Sequence, residues 1–151
     1  MPGAFVPMVE PMSIGLSPLQ AFQRLQSEPY SFFLDSALIA GGLGRFSVMG
    51  SKPFLVLRSR GNQVLLLWED GKQEVVVGDP FEVLRGFLEC YRIARLADLP
   101  LVGGAVGYFG YDLCHFIEHL LAEARDDLEL PEACLGFYDA LMAFDHRRGR
   151  A

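Results

Sequence analysis

The chain has 151 residues, 51% of them hydrophobic and 21% charged, with a net charge of −6. That length predicts one domain, able to bury about 70% of its unfolded surface. The acidic balance with scattered basic residues argues against nucleic-acid binding, and no uncharged apolar run approaches the ~20 residues of a membrane span.

In chain order, residues 1–16 read as an irregular lead-in. Pro2, Pro7 and Pro11 stand where a secretory leader would be basic and then apolar, so a cytoplasmic protein is expected. Ser17-Pro18 predicts a helix start, with serine as the cap and proline at the first helical position. Leu19, Phe22 and Leu25 then share one face, and Pro29 stops the helix. Tyr30–Ser36 reads as a buried strand, 37–43 as a loop holding Gly41-Gly42, and Gly44–Gly50 as a second strand. Pro53–Arg60 and Gln63–Glu69 flank Gly61-Asn62, a hairpin signal, and Asp70-Gly71 turns the chain into Gln73–Val77. Asp79-Pro80-Phe81-Glu82 has the pattern of a capping box ahead of Leu84, Phe87, Leu88 and Tyr91 at helical spacing. After Pro100 comes a glycine-rich strand, Gly103 to Asp112, then a helix over Leu113–Arg125. Pro131 precedes a last strand over Cys134–Phe144, and the chain runs out in a turn at 145–151. A strand followed by a turn with no returning partner, in a chain this apolar, reads as part of a longer polypeptide.

Three features bear on chemistry. The glycines at 104, 107 and 110 lack the Gly-x-Gly-x-x-Gly of a dinucleotide site, and no Gly-Lys-Ser/Thr marks a phosphate loop. They read as a strand pressed against neighbouring backbone, with Tyr108, Phe109 and Tyr111 in a core or at a domain junction. His115-Phe116-Ile117-Glu118-His119 matches the inverted zinc-protease pattern, so a small zinc hydrolase using His115, Glu118 and His119 is a distant alternative. Against it, Leu113, Phe116, Ile117 and Leu120 look like the core stripe of that helix. Asp35-Ser36 beside a glycine loop and Gly44-Arg45-Phe46-Ser47 allows two readings. It is a strand end capped by its own side chains, or a seat for a small zwitterion with the acid taking an ammonium. Neither Ser36 nor Ser47 has a histidine in its sequence context, so a serine nucleophile is not expected. Cys90, Cys114 and Cys134, odd in number and widely spaced, read as reduced core thiols.

Phe33-Leu34-Asp35-Ser36-Ala37, Gly44 to Gly50 with Pro53, Asp79-Pro80-Phe81, Gly103 to Asp112, and Tyr138-Asp139 leading to Asp145-His146 occur together. In this order they resemble the N-terminal domain of component I of anthranilate synthase and aminodeoxychorismate synthase, from Ser31 to Arg150. The resemblance implies an α+β fold of antiparallel sheets packed orthogonally with flanking helices. Residues 17–151 would form that domain, ending before a C-terminal chorismate-binding domain. It also implies a parent enzyme that aminates chorismate with ammonia from a glutamine amidotransferase component II. No cofactor is expected in this chain; Mg²⁺ and the catalytic residues would lie in the C-terminal domain. The family's N-terminal domain carries a tryptophan pocket. The matching positions here are Leu34, Asp35 and Ser36 on one wall and Leu43, Gly44, Arg45 and Phe46 on the other. Feedback-regulated members read Leu-Leu-Glu-Ser where this chain has Phe33-Leu34-Asp35-Ser36. The shorter acid favours the para-aminobenzoate branch, which serves folate synthesis. The alternative is the anthranilate branch with tryptophan feedback.

Overall fold

The computed structural model describes residues 4–36, 44–96, 98–118, 128–149 and 151. It is a mixed α+β chain with two antiparallel sheets and few helices. Two compact units are distinguished: Met1–Pro53 with Tyr91–Gly104 and Tyr138–Ala151, and Phe54–Cys90 with Ala105–Phe137.

In the first unit, helix α1 spans Pro18–Leu25. Its start is the one predicted. Ser17 Oγ accepts from the Gln20 backbone N–H and Gln20 Oε1 accepts from the Ser17 N–H, a complete capping box. Ser17→Ala should therefore lower stability by about 1 kcal/mol, read from the urea midpoint. Two of the three predicted docking residues, Phe22 and Leu25, pack on the sheet together with Ala21, whereas Leu19 is 57% exposed. That sheet has the order β1-β2-β8, formed by Phe32–Leu34, Phe46–Gly50 and Met142–Asp145, all antiparallel. Residues 33, 49, 142 and 144 fall on one face by strand alternation and pack with α1 around Met49, which is fully buried. Phe22 stacks on Phe33 with ring centroids 5.1 Å apart.

The predicted buried strand over Tyr30–Ser36 shrinks to three residues, with Leu34 half exposed. Tyr30 ends the preceding segment at φ 52, outside the extended region, and its carbonyl accepts from the Tyr138 hydroxyl at 2.7 Å. The lead-in is irregular apart from a parallel bridge between Phe5 and Ile93. The glycine loop at 37–43 lies outside the described residues.

The second unit carries a five-stranded sheet in the order β5-β4-β3-β7-β6. Strands β3 (Leu55–Arg60), β4 (Gln63–Trp68) and β5 (Gln73–Val77) form the predicted pair of hairpins. Gly61 supplies positive φ at the first turn position, as a II′ turn requires, and Gly71 does so in the second. One face holds Leu55, Leu57, Val64, Leu66, Leu135 and Phe137, all nearly inaccessible. Helix α2 (Pro80–Cys90) carries Phe87, whose ring meets both Trp68 and Phe137 edge-on. Asp79 Oδ1 caps this helix through the Phe81 N–H, whereas Glu82 pairs with Arg85. Leu88, expected on the docking face, is 42% exposed, and Tyr91 lies beyond the helix.

Three further expectations are corrected. The single strand over Cys134–Phe144 is two: β7 (Ala133–Tyr138) lies between β3 and β6, while β8 joins the other sheet. The helix expected over Leu113–Arg125 is, over Tyr111–Phe116, a 3-10 helix, with Leu113 buried but Ile117 72% exposed; its stretch over 119–125 lies outside the described residues. Cys90 is exposed and Cys114 and Cys134 are half-buried, all as free thiols, so they are not core residues as a set.

The glycine strand is β6, Gly104–Phe109, at the sheet edge. A Cβ placed on Gly107 would sit 1.9 Å from the Cys134 carbonyl oxygen, and one on Gly110 would sit 3.0 Å from that of Glu132. Glycine is needed here because the backbone of β7 occupies the side-chain space. Tyr108, Phe109 and Tyr111 are 46%, 54% and 85% exposed, so none is a core residue. Tyr108 and Phe109 end the edge strand, and Tyr111 opens the 3-10 helix that follows it. Tyr108 still donates its hydroxyl to the Pro131 carbonyl, and Phe109 stacks on Phe81.

Candidate functional site

The polar residues singled out in the sequence gather at one end of the three-stranded sheet. The β1–β2 register pairs Leu34 with Val48, so Asp35, one residue on, faces Ser47. Ser47 pairs with Phe144 across β2–β8, and alternation puts His146 on the same face as Phe144. The face that is apolar under α1 therefore becomes polar at its end.

Ser47 is fully buried. Its Oγ lies 2.6 Å from Asp35 Oδ1 and 2.6 Å from His146 Nε2. A histidine partner for Ser47 was not expected from the sequence; it comes from a residue 99 positions away. The arrangement is not that of a nucleophilic serine. In a catalytic triad the acid holds the histidine and the serine gives its proton to the histidine. Here the acid holds the serine, and the serine is sealed from solvent.

Arg45 and Asp145 form the second element. Arg45 Nε donates to both Asp145 carboxylate oxygens at 3.1 Å, and Nη2 to Oδ2 at 2.5 Å. Asp145 is only 8% exposed and also accepts from the backbone N–H groups of Arg147 and Arg148. The Arg45 bond, aided by those two amides, overrides burial and holds the Asp145 carboxyl down at about 2. The same bond raises the Arg45 guanidinium above its ordinary value. That guanidinium also lies over the Phe46 ring, 4.5 Å from its centroid.

Of the residues predicted to line a ligand pocket, Asp35 and Arg45 are thus engaged by side chains of this chain. Leu34 is half exposed, Ser36 is half-buried, and Gly44 adopts φ 73 at the end of the loop. Leu43 lies outside the described residues. A cavity of 480 Å³ in the same unit is lined by Met12, Ile14, Leu16, Phe144 and His146 among others; none of the predicted pocket residues lines it. Asp145 and His146 stood in the sequence only as part of the family pattern; the pairing of β2 with β8 is what brings them to Arg45 and Ser47.

The zinc-hydrolase alternative is not supported. Its two histidines need the i, i+4 spacing of an α-helix, but His115 sits in a 3-10 helix with three residues per turn. Glu118 follows that helix, and His119 lies outside the described residues. Among the described residues no group of three or more His, Cys, Asp or Glu is placed to hold a metal ion. Among them, too, no helix is long and apolar enough to cross a membrane.

Comparison with known proteins gives a consistent set of relatives. The chain is 37% identical over 131 residues to anthranilate synthase component 1 of Acetivibrio thermocellus, covering 86% of this chain and 26% of that protein. It is 33% identical over 129 residues to aminodeoxychorismate synthase component 1 of Escherichia coli, covering 84% of this chain and 28% of that protein. The crystal structure of anthranilate synthase component I from Streptococcus pneumoniae matches with a TM-score of 0.59 and 25% identity, over 89% of this chain and 28% of that one. No family model matches. The chain spans about a quarter of the length of the curated relatives it matches.

Proposed function

We propose, from the premise that the chain belongs to the component I family of anthranilate and aminodeoxychorismate synthases, that it is the non-catalytic part of an aminodeoxychorismate synthase. In this reading it is the N-terminal scaffold and ligand-binding region. The rest of the polypeptide aminates chorismate to 4-amino-4-deoxychorismate, using ammonia from a glutamine amidotransferase. Magnesium and the reacting groups belong to that other part, and no step of the reaction is drawn through residues described above.

One observation carries the choice of branch. Asp35, where feedback-regulated relatives have glutamate, is one methylene shorter and turns its carboxylate inward to Ser47 at 2.6 Å. An acid so held is poorly extended toward the ammonium of a bound amino acid. This supports a domain without strong tryptophan feedback. The 37% identity to an anthranilate synthase component favours the second reading, the same domain in the anthranilate branch.

The product decides between them. The whole polypeptide, supplied with chorismate, ammonia and Mg²⁺, is expected to form 4-amino-4-deoxychorismate at a rate that millimolar tryptophan leaves unchanged. Anthranilate as the product, with inhibition by tryptophan, would establish the second reading instead.

A further inference from the structure

Asp70 is the one aspartate of the chain that is followed by glycine. The pair stands in the turn between β4 and β5, and both residues are exposed. Gly71 has φ 87, and a Cβ placed on it would meet nothing within 4 Å. Two backbone bonds close the turn: Gly71 N–H donates to the Trp68 carbonyl at 3.0 Å, and Trp68 N–H donates to that of Lys72 at 2.9 Å. The Asp70 side chain adds a third, its Oδ1 accepting from the Lys72 N–H at 2.9 Å. To reach the amide two residues on, the carboxyl group folds back over the peptide joining Asp70 to Gly71. That carries its carbon to the side of the Gly71 nitrogen, the approach from which a five-membered ring closes. The other aspartates are placed differently. Asp79 precedes proline, whose nitrogen has no proton to lose; Asp35 is held by Ser47 and Asp145 by Arg45. The rest precede residues whose Cβ crowds the attacking nitrogen.

We propose that Asp70-Gly71 is a site of spontaneous isomerisation to isoaspartate, and that the product loosens β5 from its sheet. When the turn opens and Gly71 N–H leaves the Trp68 carbonyl, the nitrogen attacks Asp70 Cγ. A C–N bond forms, the nitrogen gives up its proton, and the carboxyl hydroxyl departs as water. Water then opens the cyclic imide. Where it cleaves the original bond between the Asp70 carbonyl carbon and the Gly71 nitrogen, the chain continues through Cγ and the carboxylate hangs from Cα. One water is lost and one regained, so neither composition nor charge changes. The product has one more methylene in the backbone of the turn, and its carboxylate no longer reaches Lys72 N–H. Turn length sets hairpin register, so the insertion opposes the pairing of Leu67 with Gln73 beside the turn. Among the described residues β5 is an edge strand paired to β4 alone, and no second neighbour holds it in place. Lys72, whose ammonium lies 4.6 Å from the centroid of the Trp68 ring, is displaced with it.

Incubating the chain at physiological temperature in mildly acidic buffer, which keeps part of the carboxyl protonated, tests both halves of the proposal. Isoaspartyl peptides share the mass of their parents and separate from them by chromatography. The Asp70 peptide should carry at least about tenfold more isoaspartate than that of any other aspartate. Asp70→Ser keeps an oxygen for the Lys72 N–H but offers no carbon to attack, and should form none at this position. In the isomerised fraction the amides of Gln73–Val77 should exchange about tenfold faster, the equivalent of one or two lost hydrogen bonds. The emission of Trp68, the single tryptophan of the chain, should shift with them. Absence of isoaspartate at position 70, or its even spread over the other aspartates, would overturn the site. Unchanged exchange in Gln73–Val77 of the isomerised fraction would overturn the loosening of β5.

Discussion

Gly107→Ala is expected to detach β6 from its sheet. The added methyl would lie 1.9 Å from the Cys134 carbonyl oxygen and 2.8 Å from the Leu135 Cα. Both are backbone atoms of β7, an interior strand hydrogen-bonded on its other side to β3, so neither can rotate away. Overpacking against mobile side chains costs about 1–3 kcal/mol; against backbone the chain must break the pairing itself, and about 3 kcal/mol or more is expected. That corresponds to a fall of about 10 °C in Tm. Gly86→Ala is the contrasting control. Gly86 lies within α2, exposed, with nothing within 4 Å of the added carbon. Alanine there should raise stability by about 0.5–1 kcal/mol. Equal effects of the two substitutions, measured by urea denaturation, would refute the close-packing account of β6.

The second large effect concerns Asp145. Its carboxyl is lowered from an ordinary 3.8 to about 2, first by the Arg45 hydrogen bond. A carboxyl depressed in the folded state binds its proton more readily when unfolded. It therefore adds stability that is complete above pH ~4 and lost as the pH falls through ~2. The shift corresponds to about 2 kcal/mol, with Arg45's partial exposure placing the true value below this. Asp145→Asn should accordingly lower stability at neutral pH by about 1–2 kcal/mol and flatten the acid limb. Parent and variant should converge near pH 2. Arg45→Met should also destabilise at neutral pH, because it leaves the Asp145 carboxylate without its counter-ion. Urea midpoints recorded across the acid range would expose a failure, since an unchanged acid limb in Asp145→Asn excludes this origin.

Local chemistry made much of the fold legible in the sequence. Gly61-Asn62 and Asp70-Gly71 mark turns whose φ values only glycine takes easily, and the hairpins formed where they stand. Ser17-Pro18 and Asp79-Pro80 set helix starts through bonds spanning two or three residues. The break between β7 and β8 had no such punctuation. Tyr138-Asp139-Ala140-Leu141-Met142 lacks glycine and proline, so an apolar run assigned to two sheets reads as one strand. The 3-10 helix at Tyr111 was missed for a similar reason, because a six-residue apolar pattern does not distinguish three residues per turn from 3.6. In the candidate site the residues near in sequence were found. Asp35 and Ser36 signalled themselves as polar positions at the end of an apolar strand. What Asp35 and Arg45 actually touch was hidden. Ser47 with His146, and Arg45 with Asp145, are pairs about a hundred positions apart, joined only by the β2–β8 register.

That register has a consequence for synthesis on the ribosome. Among the described residues, β7 and β8 follow the other six strands in sequence, and each completes a different sheet. Until residues 133–138 emerge, β3 lacks its second partner and β6 has no neighbour to pair with. Until residues 142–145 follow, β2 stands as an open edge, and Arg45 has no carboxylate. A nascent chain stalled near residue 130 would therefore expose unpaired strands from both sheets at once, the condition that invites association with other chains. Both sheets close only as residues 133–145 emerge, so their completion is nearly simultaneous.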